Sequence, residues 1–173
     1  MVRGKHTLSY MYIVFRADAS LDAGTGHVLR CLPIAEEAIS RDIPCDFVGD
    51  VIDVDWVSKK IKSTGFSRIF PSEEMHRAIS HEAILIIDSY NLDISHPFLN
   101  RSHWKKVIAI TDSVTPNYDV DLAIHLGLDG SWRKISSSNF IYGPQYIPIR
   151  KSVHSQQKRE VSRLKRIVVY GGG

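Results

Sequence analysis

Cysteine is scarce in this sequence. Only Cys31 and Cys45 occur among 173 residues, and they form no Cys-x-x-Cys pair. That excludes a disulfide framework and a zinc ribbon, and it favours a reducing, cytoplasmic setting. Long apolar runs are missing too. No stretch approaches the ~20 residues of a bilayer-spanning helix. The apolar stretch 11–15 behind Arg3 and Lys5 is too short for a signal peptide, and it runs into Arg16 and Asp18. An excess of one sign of charge is nearly absent, since 22 basic residues face 19 acidic ones for a net +3. A nucleic-acid binder carries a denser, one-sided excess. Part of the surplus sits between Lys158 and Arg166 and reads as a solvated face or linker. With 11 glycines and 7 prolines, collagen-like and low-complexity classes fall away. What remains is 43% hydrophobic and 24% charged, enough for one domain whose core needs no staples.

Strand-like and helix-like segments alternate along that chain. Residues 12–15 form a continuous β-rich apolar run, as a strand covered on both faces should. Residues 1–10 read as an extension before it. From His27, the apolar residues Val28, Cys31, Leu32, Ala35 and Ile39 recur at helical spacing. Pro33 inside that pattern is expected to kink the helix or delay its start, because an interior proline costs ~3 kcal/mol. Further strands are expected at 44–48, 68–70, 83–87, 106–110, 122–124 and 166–170. Helices are expected at 54–61, closed by Gly65, after Ser72 as N-cap, and at 155–164; residues 136–142 read as loop. Such alternation specifies an α/β fold, a Rossmann-like parallel sheet with helices on both faces.

Parallel sheets bind ligands at the C-terminal ends of their strands. The polar residues expected there are Arg16, Asp18, His27, Asp88, Ser89, Tyr90 and Asp112. Gly24 and Gly26 lie between the first strand and the first helix. Glycines there let a backbone approach a ligand, and the helix start favours an anion such as phosphate. His27 would sit at that helix start, where the dipole disfavours an imidazolium and leaves a neutral base. The competing reading is a tight turn with a capping histidine. A dinucleotide fingerprint would begin at Gly24-x-Gly26, but its third glycine position holds Leu29, and only Asp46 or Asp50 could supply its acid. No Gly-Lys-Ser/Thr follows, which excludes a Walker loop. His76 and His81 miss the spacing of a helical metal pair, so no metal site is expected. Trp56, Trp104 and Trp132 are isolated and read as packing residues.

The run Phe15-Arg16-Ala17-Asp18-Ala19-Ser20, with Gly24-Thr25-Gly26-His27-Val28-Leu29-Arg30-Cys31-Leu32 behind it, resembles the N-terminal signature of the PseG/SpsG family. That family includes the UDP-sugar hydrolase of pseudaminic acid biosynthesis and a spore coat polysaccharide biosynthesis protein. The likeness continues through Ile86-Ile87-Asp88-Ser89-Tyr90, Ile110-Thr111-Asp112, Tyr118-Asp119-Val120-Asp121, Gly143-Pro144-Gln145-Tyr146 with Arg150, and Val168-Val169-Tyr170-Gly171-Gly172. The family is similar in fold to GT-B glycosyltransferases, and the glycine loop also resembles that of the MurG-type transferase. The sequence departs from the family at Ser89 and Asn91, where histidine and glycine are usual. It departs again at Asp22-Ala23, at Pro33 and at Ile124-His125-Leu126-Gly127.

The resemblance implies an N-terminal Rossmann-like domain over residues 11–165, with residues 166–173 opening a truncated C-terminal nucleotide-binding domain. It implies release of UDP from a 2,4-diacetamido-2,4,6-trideoxy sugar by water attack at the anomeric carbon, without metal or other cofactor. His27 matches the family's catalytic base. Arg16, Asp18, Gly24, Thr25, Gly26, Asp88, Tyr90 and Asp112 are the matching candidates for substrate binding. The partner is then a UDP-sugar, not a nucleic acid or a membrane. Two other readings stand beside it: a GT-B-type glycosyltransferase in which His27 deprotonates an acceptor hydroxyl, and a non-catalytic, truncated sugar-binding domain.

Overall fold

The computed structural model describes residues 11–89, 92–93, 95–112, 118–126, 139–150 and 153. The expected extension at 1–10, the helix at 155–164, the strand at 166–170 and Tyr90 lie outside them. Among the described residues, seven parallel strands make one sheet: β1 (Tyr12–Ala17), β2 (Cys45–Val48), β3 (Arg68–Phe70), β4 (Ser80–Asp88), β5 (Trp104–Thr111), β6 (Leu122–His125) and β7 (Phe140–Tyr142). Their order is β3-β2-β1-β4-β5-β6-β7. The sheet therefore grows outward in both directions from the β1–β4 pair. That pair is the switch point at which α/β sheets open a crevice, so the α/β Rossmann-like fold stands.

Alternation along each strand divides the core into two layers. Ile13, Phe15 and Ala17 of β1, Phe47 of β2 and Ile86 of β4 face one way. There they meet α1 (Gly26–Ile39) and α2 (Asp55–Thr64) through Val28, Cys31, Leu32, Ala35, Val57 and Ile61. Val14, Val48, Leu85, Ile87 and Val107 face the other way, onto 3-10 segments at Ser72–Ala78 and Pro97–Leu99. Fully buried side chains such as Phe15, Phe47, Leu32 and Leu85 each contribute roughly 1.5–3 kcal/mol of burial. Among the described residues, no helix is long and apolar enough to cross a membrane.

Three local expectations need correction. Pro33 does not delay α1, for the helix runs through it from Gly26 to Ile39. Proline removes a single N–H donor, while Cys31, Leu32 and Ala35 around it are fully buried against the sheet and offset that loss. Ser72 does not cap an α-helix. It begins a 3-10 helix behind Pro71, and its N–H donates to Asp50 Oδ1 at 2.9 Å. Residues 140–142, read as loop, form β7, because β6 offers them a free edge with His125 opposite Tyr142. The turn at Gly65 fits its residue: φ of 98° closes α2 in the left-handed region, which glycine occupies without strain.

Candidate functional site

Burying a polar group is costly unless it is bonded, so buried polar residues mark where a fold has accepted a cost. Six are buried among the described residues: Arg16, His27, Asp46, Asp88, Thr111 and His125. Asp46 alone sits low in the sheet, where it accepts from Tyr12 Oη and from Arg68 Nε at 2.8 Å. The other five stand at the C-terminal ends of β1, β4, β5 and β6 or at the start of α1. They collect where the alternating pattern places a ligand.

The centre of that edge is a connected polar group of five residues. Asp88 closes β4, directly beside Ala17 of β1, and its side chain is 1% exposed. His27 lies in the first turn of α1 with Nδ1 2.6 Å from Asp88 Oδ1. Arg30, one helical turn on, donates from Nε to Asp88 Oδ2 at 2.8 Å and from Nη2 to Asp88 Oδ1 at 2.7 Å. Its Nη1 reaches across to both oxygens of Asp112, at 3.0 and 2.9 Å. His125, wholly buried at the end of β6, places Nε2 3.2 Å from the Asp112 carbonyl oxygen.

These contacts assign the His27 tautomer. A carboxylate only accepts and a guanidinium only donates. An unprotonated Nδ1 cannot sit 2.6 Å from an anionic oxygen without lone-pair repulsion, so Nδ1–H donates to Asp88. The 3.1 Å approach of Arg30 Nη2 to Nδ1 follows from two donors sharing Oδ1. In the neutral ring, Nε2 then carries the lone pair. A base oriented by a buried carboxylate is the arrangement that activates hydroxyl groups and water.

The charges around Asp88 are felt by its neighbours. Burial alone would lower the Arg30 pKa, but the bonds and charges of Asp88 and then Asp112 outweigh it and raise it. Burial, and then the Asp88 charge, push the Cys31 thiol well up and the Tyr118 phenol up to about 12.

The glycine loop adjoins this group. Ser20 pairs with Gly24 in an isolated antiparallel bridge, and Gly24 takes φ of 77°. Thr25 precedes α1 without a side-chain cap, and the first turn holds no acidic residue. A Cβ at Gly24 or at Gly26 would meet nothing within 4 Å. The helix start thus opens onto space, with backbone N–H groups and the positive end of the dipole beside it.

Arg16 and Asp18 form a second group on the other layer of the sheet. Arg16 Nη1 lies 2.6 Å from Asp18 Oδ1, but the approach is off the N–H direction, so the contact is ionic and not a hydrogen bond. Arg16 Nε and Nη1 are buried with no hydrogen-bond acceptor among the described residues. Asp18 Oδ1 accepts from the Asp50 backbone at 2.9 Å and ties β1 to β2. A cleft of about 580 Å³ lies farther along, at the β2–β3 end, with Gly49, Asp50, Ser58, Lys62 and Glu73 on its walls. No residue of the His27 group lines it.

The expected site residues therefore divide. His27, Asp88 and Asp112 come together, Arg16 and Asp18 pair with each other on the other layer of the sheet, and Gly24, Thr25 and Gly26 frame the helix start. Sequence reasoning missed Arg30, the residue that joins Asp88 to Asp112. Its signal was its place three positions after His27, which puts both on one helix face. His125 was missed as well, noted only as a departure from the family pattern. No protein-family model matches this chain, and neither a curated protein nor a solved structure matches it.

Proposed function

We propose that the chain hydrolyses a nucleotide sugar, releasing UDP from a 2,4-diacetamido-2,4,6-trideoxy sugar in pseudaminic acid or surface-polysaccharide biosynthesis. The observation that carries the reading is the buried His27–Asp88 pair, 2.6 Å apart, at the crevice edge beside the open glycine loop. In the reaction, His27 Nε2 takes a proton from water as the water oxygen bonds to the anomeric carbon. The bond from that carbon to the UDP oxygen breaks, and its electron pair leaves with UDP. Asp88 holds the ring and balances the imidazolium formed. The Gly24–Gly26 backbone faces the diphosphate. On this reading the chain is the N-terminal half of a GT-B-like enzyme, at work in the reducing cytoplasm. A second, nucleotide-binding domain grips the uridine, as in the family it resembles. The test is turnover in ¹⁸O-labelled water by the full-length gene product. Label in the new anomeric hydroxyl supports the proposal. Label in the UDP phosphate, or release of UDP only when an acceptor sugar is added, contradicts it.

A further inference from the structure

We infer that Arg30 is a positioning residue, acting through Asp88 to hold His27 in one tautomer and one orientation, with Asp112 as its outer anchor. The inference rests on the reading of His27 as a base. Three features of the geometry carry it. Arg30 grips both oxygens of Asp88, so the carboxylate cannot rotate about its terminal bond without breaking a bond to Nε or Nη2. That fixes where Oδ1 stands, and Oδ1 is the acceptor for Nδ1–H of His27. The third arm, Nη1, is held by both oxygens of Asp112, just past the neighbouring strand β5. A guanidinium with one arm pinned from outside loses little further freedom when it forks onto Asp88.

The burial gradient supports the same division of labour. Asp88 is 1% exposed, Arg30 22% and Asp112 41%. The chain of contacts thus runs from solvent at Asp112 to the buried face of the imidazole. A lysine at 30 would keep a positive charge but could not fork onto two oxygens while reaching a third group. Asp112 is held in turn by its own carbonyl, which faces His125 on β6. The ends of three adjacent strands, β4, β5 and β6, are thereby tied to the helix that carries His27.

The experiment is long-range ¹H–¹⁵N spectroscopy of the imidazole rings, with the His27 signals assigned by their loss in His27→Asn. In the wild-type protein the ring should show a single pattern, with Nδ1 protonated and Nε2 carrying the lone pair. In Arg30→Gln the two tautomers should mix, and kcat should fall about 10- to 100-fold with KM nearly unchanged, the range that loss of an orienting partner gives for metal-bound histidines. Arg30→Lys should recover only part of the loss. Should Arg30→Gln not fold, Asp112→Asn gives the same readout, with a smaller shift in the same direction. A pure Nδ1–H tautomer in whichever variants fold overturns the inference. The spectrum is read without turnover. If the tautomer mixes but the wild-type protein releases no UDP, the inference holds and the proposed reaction fails.

Discussion

Replacing Asp88 with asparagine changes one oxygen for an amide and leaves shape nearly intact, so its effect isolates the charge. The wild-type carboxylate accepts three hydrogen bonds, from His27 Nδ1, Arg30 Nη2 and Arg30 Nε, at 2.6, 2.7 and 2.8 Å. An asparagine has one acceptor oxygen, and its NH2 would point a donor at one of these donors. Removing one partner of a buried ion pair costs about 3–5 kcal/mol. Arg30 is partly exposed and retains Asp112, which lowers the expected loss to about 2–3 kcal/mol. In a chain of this size that is about 4–12 °C in Tm, read by thermal circular dichroism at pH 7. Asp112→Asn is the internal comparison. Its exposed pair should account for less than about 1 kcal/mol. A second readout follows from Tyr118, whose phenol is raised to about 12 by burial and then by Asp88. Its ultraviolet titration should move to lower pH in Asp88→Asn and stay in place in Asp112→Asn. Equal loss of stability in the two variants would refute the reasoning.

Gly49 sits where a Cβ would lie 1.7 Å from the Ala17 carbonyl oxygen. Gly49→Ala must therefore push the ends of β1 and β2 apart, at about 3 kcal/mol, whereas Gly26→Ala meets open space and should stay within about 1 kcal/mol of wild type; chemical denaturation of both variants checks the contrast. Alkaline pH should destabilise the fold. Burial, then the Asp46 charge, raise the Cys45 thiol from 9.0 to about 12, and burial, then a bond to Asp46, raise the Tyr12 phenol from 10.0 to about 12. The unfolded chain loses these protons first, so stability is intact below pH 9, falls above it through Cys45, and falls further above pH 10 through Tyr12, whose half-exposed phenol contributes well under the limiting slope of about 1.4 kcal/mol per pH unit. Constant stability in urea from pH 8.5 to 10.5 would contradict those placements.

Strands β1, β4 and β5 were legible because parallel strands buried on both faces are continuous apolar runs, and the runs ending at Asp88 and near Asp112 stand out in the sequence. Composition told less at the edges. β7 is three residues, Phe140–Tyr142, and only its partner β6 makes it a strand. Pro33 misled because local propensity ignores the tertiary burial around it. In the site, His27 was legible from its place after two glycines, and Asp88 from its place at a strand end. Their contact was not, since the two are 61 positions apart and meet only through the β1–β4 crossover. Arg30 was hidden for the same reason. A helical arginine reads as solvated surface until the two carboxylates that bracket it, from β4 and just past β5, are placed by the fold. Arg16 and Asp18 were expected with His27. Strand alternation instead sends Arg16 to the opposite layer, where it pairs with Asp18.

In the proposed reaction, His27 takes the proton from the attacking water. That step is tested most directly by UDP release from the diacetamido-trideoxy UDP-sugar, comparing the full-length wild-type protein with its His27→Asn variant at matched folding and substrate affinity. Asparagine keeps a hydrogen-bonding side chain opposite Asp88 and removes the base. The variant's kcat should fall about 100- to 10,000-fold, the usual contribution of a positioned general base, with Tm lowered by only a few degrees. Turnover within a few-fold of wild type would remove His27 from the chemistry and leave it as a buried partner of Asp88.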